Sequence, residues 1–525
     1  MTVYADYRRN RLGWLFGLTG WQLGITAAAA LPVFAALGGG HWGSVLLFGT
    51  LWCLATALVT VPIRGRSAAG WLLASSAYTL GRITGWSTFR SRAAQGRLTD
   101  PDQADLPGVL NEITIHDGPP RGAAMTRPAV IQDHRTRCWA VTASLDHPGI
   151  ALMMPADRDR RGRGLADVLD VAARTELLTE LLLIVRSVPD DGTERALWTA
   201  GHRRPDGPAL ARRINDDLAA ALREAGVRTE GFITLVAGEA KIAKAARETG
   251  GGVEGRAHVL YGLMDELGAA LRAGPGATRV QWLTSPQLAV ATRTGFAPGD
   301  RASIVAAHPG HTATTITAAT HTPATTTTTA TTATTGETTT TAGVVPWGIA
   351  GPSGADASAR AYLHDAWASV SATIALPAKG AAMGALAPVL IPSEPGERRS
   401  LLVCYPILDR AAADRQTGSA EWNADMATAL NDRIGRRPRA ATRADTAKIY
   451  AMDRKVAAGN SITCPYALAT VTVPRTRSIA EYGRRLDSSI RRAGFAPLRL
   501  DCAQDLAMIA TSIPLGLGLT PRGDR

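Results

Sequence analysis

Two uncharged apolar runs stand near the start of the chain. LTGWQLGITAAAALPVFAALG covers Leu18 to Gly38 and WGSVLLFGTLWCLATALVTVP covers Trp42 to Pro62, with only Gly39, Gly40 and His41 between them. Each holds about 20 residues, which at a rise of about 1.5 Å per residue spans a hydrocarbon core of about 30 Å. The pattern predicts a hairpin of two N-terminal transmembrane helices over 18–62. Pro32 and the glycines of the first run permit close helix packing or a kink. From Ile63 to Arg92 the pattern changes to aromatic and aliphatic residues interleaved with arginine. That mixture suits the lipid headgroup zone and predicts an interfacial amphipathic helix over 63–94. Arg64, Arg66, Trp71, Tyr78, Arg82, Trp86, Phe89, Arg90 and Arg92 are its candidate membrane-interface residues.

Residues 95–128 are rich in Gly, Pro and Asp and read as a linker. A regular alternation follows. Strands are expected at Ala129–Ile131, Trp139–Ser144, Ile150–Met153, Ile184–Val188, Phe232–Val236 and Arg279–Leu283. Helices are expected at Gly164–Leu183, Ala209–Ala225, Glu239–Glu248 and Val259–Arg272, with a short one capped by Ser285. Residues 311–358 form a linker whose core is almost entirely Thr and Ala, too uniform to build a varied core. A second block covers 359–520. Its expected helices are Ala359–Ala368, Trp422–Ile434, Asp445–Ala458, Ser478–Ala493 and Asp501–Thr511, and its strands Ala387–Ile391, Ser400–Leu408, Tyr466–Val473 and Leu498–Leu500. The predicted fold is a membrane-anchored α/β (α+β) protein with a two-lobed cytoplasmic region, 129–310 and 359–520. The two blocks alternate similarly, but the sequence does not prove a duplication.

Composition sharpens this picture in two places. Of 525 residues, 46% are hydrophobic and 19% charged, so the region beyond the hairpin is able to bury a core. The net charge of +12 favours an anionic partner, lipid or nucleic acid. Arg8, Arg9 and Arg11 precede the first span and a series of arginines follows the second, while the loop between carries only His41. The positive-inside rule then places both termini in the cytoplasm of a multi-pass inner (plasma) membrane protein. A cleaved secretory signal fits less well, because a second full span follows at once. The five cysteines, Cys53, Cys138, Cys404, Cys464 and Cys502, form no C-x-x-C pair and suit a reducing compartment.

Catalytic chemistry finds no foothold. No G-x-x-x-x-G-K-[ST] loop occurs, and Arg161-Gly162-Arg163-Gly164 and Gly250-Gly251-Gly252 lack its lysine. There is no H-E-x-x-H, and His308 with His311 lacks a third ligand. Gly351-Pro352-Ser353-Gly354 is not a nucleophile elbow. Glu176 and Glu180 would sit on one solvated helix face. No catalytic, cofactor-binding or metal residue is therefore assigned, no cofactor is expected, and the reading is non-enzymatic. The run Arg433, Arg436, Arg437, Arg439 and Arg443 is the candidate contact for an anionic partner, set against the plainer reading of an arginine-coated surface.

Three stretches, RVQWLTSPQLAVATRTGFAPGD (Arg279–Asp300), RRSLLVCYPILDR (Arg398–Arg410) and QDLAMIATSIPLGLG (Gln504–Gly518), carry a resemblance. With them the soluble region is similar to actinobacterial membrane proteins of conjugation-like gene clusters and to the non-motor half of the conjugation ATPases of type IV secretion. The hairpin with VPIRGRSAAGWLLASSAYTLGRITGWSTFRSR resembles small PrgI-type membrane proteins. The resemblance implies a non-enzymatic inner-membrane structural subunit of a conjugation-like machine, working with a separate ATPase in a hetero-oligomeric complex. Its expected partners are membrane lipids and other subunits, with nucleic acid as a further candidate. The architecture also resembles the EccE component of type VII secretion. A membrane-tethered enzyme, its site assembled only in three dimensions, is the contrasting expectation.

Overall fold

The computed structural model describes residues 3–4, 20–40, 42–63, 66–98, 100–150, 153–190, 192–204, 206–307, 345–377, 380–409, 412–415 and 440–519. The N-terminal helices are α1 (Gly20–Gly38) and α2 (Trp42–Thr60), and α3 covers Ala68–Ile83. Among the described residues α2 is long and apolar enough to cross a membrane, and α1 is apolar over Gly24–Gly38. The two pack side by side, and the Trp52 indole donates to the Thr26 carbonyl at 2.9 Å. Gly24, Gly38, Gly43 and Gly49 face open space, so this contact does not use them as close-packing sites.

The remaining described chain is a mixed α/β body built on one large antiparallel sheet. In chain order its strands are β1 (Thr88–Arg90), β2 (Ile113–Asp117), β3 (Ala129–Asp133), β4 (Cys138–Asp146), β5 (Leu178–Pro189), β6 (Val227–Gly238) and β7 (Arg279–Trp282). They continue as β8 (Gly354–Ala357), β9 (Tyr362–His364), β10 (Trp367–Ala375), β11 (Arg398–Pro406), β12 (Tyr466–Pro474) and β13 (Ala496–Arg499). The spatial order is β1-β8-β9-β10-β12-β11-β5-β6-β4-β3-β2, with β7 on β4 and β13 on β10. The helices of the body are α4 (Pro155–Arg174), α5 (Thr193–His202), α6 (Ala209–Ala225), α7 (Glu239–Glu248), α8 (Gly252–Ala273), α9 (Ser285–Phe296), α10 (Arg301–Ala307), α11 (Ala440–Ala457), α12 (Ile479–Arg492) and α13 (Gln504–Ser512).

Apart from the edge strand β1, this order reads the same from either end. A two-strand lead (β2–β3, or β8–β9) reaches the first half of a long strand (β4, or β10). The next long strand (β5, or β11) lies farther in, and the third (β6, or β12) slots between them. Helix (α7 and α8 in the first half, α12 in the second) and a short strand (β7, or β13) follow, and the short strand returns to the second half of the first long strand. A last helix, α9 or α13, closes each unit. The two units meet where β5 pairs antiparallel with β11, with Arg186 opposite Ser400 and Leu182 opposite Cys404. The body is thus two topologically equivalent halves about a pseudo-twofold axis.

Strand alternation gives the two faces different roles. On one face, Leu182 and Ile184 of β5 and Leu402 and Cys404 of β11 share a single core with Leu288 and Phe296 of α9 and Met508 and Ile509 of α13. On the other, β4–β6 pack on α4 and α8, while β10–β12 pack separately on α12. The two expected lobes therefore exist as separate cores on one face only. The continuous sheet and the α9–α13 core weld them.

Several expectations are corrected. The helix expected over Gly164–Leu183 ends at Arg174. Glu176 takes a left-handed φ of 56°, and Leu178–Leu183 begins β5. A strand buried on both faces reads as a continuous apolar run, which periodicity cannot tell from a buried helix. Glu180 is consequently a buried strand residue rather than a partner of Glu176 on a helix. Ala359–Ala368 contains strand β9, Ala387–Val389 is a 3-10 turn, and Thr284, not Ser285, caps α9 with Gln287 completing the box. The segment read as a linker over 95–128 contains β2 and buries Leu106 and Leu110. The interfacial helix expected over 63–94 ends at Ile83, and Thr88–Arg90 is the edge strand. The described chain begins again at Val345, and Trp347 is buried, its indole donating to Ser285 Oγ at 2.8 Å. The helix expected at Trp422–Ile434 and the Thr tract itself lie outside the described residues.

Candidate functional site

The candidate interface residues are spread over several elements. Arg64 lies outside the described residues, and Arg66 sits in a two-residue strand that pairs with Pro62–Ile63. Trp71, Tyr78 and Arg82 lie on α3, where Arg82 donates to the Tyr78 hydroxyl at 3.1 Å. Trp86 is 80% exposed in the turn that follows. Phe89, Arg90 and Arg92 belong to the folded body. β1 pairs with β8, Phe89 packs against the shared core, and Arg92 donates to Gln103 Oε1 at 2.6 Å. The N-terminal helices are therefore joined to the sheet by a hydrogen-bonded edge strand rather than by a free tether.

Of the arginine run proposed for an anionic partner, only Arg443 is described. It is exposed on α11. Arg433, Arg436, Arg437 and Arg439 lie outside the described residues. The second arginine-rich helix, α12, spends Arg485 on Glu394 (2.5 Å) and Glu481 (2.5 Å), leaving Arg484, Arg491 and Arg492 exposed.

Among the described residues, a cluster of buried charge lies at the seam between the two halves. Arg186 is 1% exposed. It donates to Glu230, its cross-strand neighbour, through Nη2 at 2.7 Å and Nε at 3.1 Å. Its Nη1 donates to the Ala291 carbonyl of α9 at 3.0 Å and to the Ser512 carbonyl of α13 at 2.9 Å. Its guanidinium also stacks on the Phe232 ring at 4.6 Å. Arg398, also fully buried, donates to the Thr294 and Gly295 carbonyls at 3.0 and 2.5 Å and to Thr472 Oγ1 at 3.0 Å. Arg228 and Arg301 approach Glu230 at 3.8 and 3.7 Å.

The electrostatics follow from this packing. Burial makes charging Arg186 and Arg398 costly and pushes both below the usual guanidinium range, Arg398 to about 9. Burial pushes Glu230 up, but the opposing field of Arg186, Arg228 and Arg301 outweighs it and holds the carboxyl below its ordinary value. The C-terminal carbonyls of α9 and α13 supply the rest of the negative charge, about half a unit per helix end. The adjoining cleft of about 70 Å3, lined by Ser144, Gln287 and Thr294 among others, has room for a few waters. The arrangement clamps both closing helices to the two central strands.

The polar chain continues into the second half. Arg398 meets Thr472, whose hydroxyl pairs with Ser369 Oγ at 2.7 Å, and Ser369 pairs with His364 Nε2 at 2.8 Å. His364 is fully buried, and its pKa falls to about 3, first through burial and then through Arg398. Sequence reading missed this network because Arg186 sits in an apolar strand pattern with nothing local to mark it, and Arg398, beside Glu397 and Arg399, falls just before the expected strand Ser400–Leu408. Among the described residues no group of three His, Cys, Asp or Glu could hold a metal ion, and none of the five cysteines is paired.

Compared with protein-family models and with curated proteins, the chain matches none.

Proposed function

We propose that this chain is a non-enzymatic structural subunit of a conjugation-like secretion machine, anchored in the inner membrane by α1 and α2 with both termini cytoplasmic. The observation that carries the reading is mechanical. An apolar helix pair leads through α3 and a short turn into β1, and β1 is hydrogen-bonded into a sheet that crosses the whole body. A force or displacement at the membrane is then borne by backbone ladders, as a channel component requires and a diffusing catalyst does not. The outward apolar side chains of the pair, Leu31, Phe34, Leu46 and Leu47 among them, support lipid contact. The test is affinity purification of the tagged full chain in mild detergent from cells expressing the machine. Recovery of a separate conjugation-type ATPase with further membrane subunits supports the reading. Recovery of the chain alone, or with a type VII ATPase, overturns it.

A further inference from the structure

Helix α12 lies across β10 and β12 and turns Tyr482, Leu486 and Ile490 into the core of its half. Its opposite side carries Arg484, Ser488, Arg491 and Arg492, all exposed and all within about 100° of arc on a helix of 3.6 residues per turn. The acids of α12 and of the loop beside it are taken by other arginines. Glu394 and Glu481 hold Arg485, both at 2.5 Å, and Asp487 holds Arg499 at 2.9 Å. Among the described residues no ion pair or hydrogen bond occupies Arg484, Arg491 or Arg492, so three guanidiniums project from one helix side with no carboxylate among them. The counterpart on the same sheet face of the first half, α8, exposes Glu254, Asp265 and Glu266 with one arginine, Arg272 (Asp265 pairs with Arg121). The arginine side therefore belongs to one half and does not follow from composition alone. That half also carries both chain connections to the apolar helix pair. Ahead of α1, Val3 and Tyr4 pair antiparallel with Ala382 and Ala381. Ala381, Ala385 and Leu386 in turn pack on the core that holds Leu486 and Ile490. Behind α3, β1 pairs with β8.

We propose that the arginine side of α12 docks on the phosphates of an anionic lipid surface, turning the second half of the body toward the membrane and the acidic side of α8 away from it. The inference rests on the membrane reading of α1 and α2. Each arginine brought to an anionic leaflet strengthens the contact about 5-fold, so the three together give about 100-fold. Opposite charge on the two halves makes the effect directional, since the leaflet that attracts α12 repels α8. Nucleic-acid phosphates would meet the same guanidiniums, but the chain's own connections bring a lipid surface to this half. The α12 side also lacks an exposed aromatic ring on which a base could stack.

The test uses the full chain in lipid nanodiscs holding one copy each, with a fluorophore on Ser488→Cys. Cys53, Cys464 and Cys502 are replaced by serine, while Cys138 and Cys404 are buried. A quencher attached to lipid headgroups should dim the label in phosphatidylcholine discs that contain phosphatidylglycerol, and not in phosphatidylcholine alone. Arg484→Ser with Arg491→Ser and Arg492→Ser should lower the ratio of docked to undocked chain about 100-fold. The three lysine replacements, which keep the charge, should retain docking. Raising salt from about 0.1 M to about 1 M should also release α12, as the screening length falls from about 10 Å to about 3 Å. Because these arginines are exposed, equal melting of the variants confirms that the fold is kept. A chain that does not enter the discs overturns the membrane reading and this inference with it. A chain that enters, but whose label is dimmed equally with and without phosphatidylglycerol or in neither case, overturns the docking alone. So does dimming that the triple serine variant leaves intact. Binding of a duplex oligonucleotide to the arginine side without any response to phosphatidylglycerol would make nucleic acid the occupant. Dimming seen only in discs with two chains would make it a second copy, and either result overturns the proposal.

Discussion

Replacing Arg186 with Met retains most of the side chain's volume and removes its charge, so it isolates what the seam guanidinium does. Glu230, whose side chain is 13% exposed, would lose its two short bonds and keep only Arg228 and Arg301 at 3.8 and 3.7 Å. Breaking one side of a buried ion pair costs about 3–5 kcal/mol, and relaxation of the two remaining arginines puts this case near the lower figure. The Ala291 and Ser512 carbonyls would also lose the Arg186 guanidinium, at about 1 kcal/mol each, with Ala291 keeping the Thr294 hydroxyl at 3.3 Å. The sum, about 5 kcal/mol, is a large part of a domain's usual 5–15 kcal/mol. Melting of the full chain in detergent at one fixed scan rate reads it, since a chain of this size is expected to unfold irreversibly. At about 2 °C per kcal/mol, the variant should melt on the order of 10 °C below wild type. Glu230→Leu added to Arg186→Met should restore part of the loss, with a coupling of about 2 kcal/mol, because the orphaned carboxylate is then gone. A single variant that melts within 2 °C or so of wild type, or a double variant whose loss equals the sum of the singles, would refute the account of the seam.

Further consequences are equally direct. His364 has its folded pKa lowered to about 3, so the unfolded chain binds the proton more tightly. Its contribution is complete above about pH 6.5 and is lost by up to about 1.4 kcal/mol per pH unit as pH falls toward the folded value. His364→Gln should flatten the melting profile in that window, and an unchanged slope would place the titration elsewhere. Gly164 of α4 and Gly274 after α8 meet backbone to backbone, each where the other's Cβ would stand. Gly164→Ala should therefore part the helices and cost about 1–3 kcal/mol, read as a lower melting temperature. Phe89→Asp should free the edge strand at a cost of about 2 kcal/mol and expose Arg90 and Arg92 to trypsin, whereas wild type resists cleavage there. In the proposed topology, Gly40→Cys in a Cys53→Ser background should react with an impermeant maleimide from outside intact spheroplasts. Labelling only after lysis would reverse or remove the hairpin.

How far the residues speak for themselves depends on the range of the interactions involved. Amphipathic helices with local stop signals were legible to the residue: α6 and α7 match the expected Ala209–Ala225 and Glu239–Glu248 because their periodicity and flanking glycines are local. The apolar character of α1 and α2 was equally plain, since it needs only composition. Leu178–Leu183 was not, because strand identity there comes from neighbours on both sides of β5, one of them more than two hundred residues away. The seam was invisible for the same reason: Arg186 and Arg398 reach the same closing helices only when β5 pairs with β11.

The sequence by itself determined the two N-terminal apolar runs, the arginine–aromatic passage after them, the α/β alternation and the low-complexity composition of the Thr tract, all of them set by short-range pattern. Only the tertiary structure decided that the two blocks repeat one topology about a pseudo-twofold axis, that they share one sheet, and that Arg186 and Arg398 bind the ends of both closing helices. The physical reason is that strand pairing and buried charge are settled by long-range partners, and a residue's own neighbours in the chain do not name them.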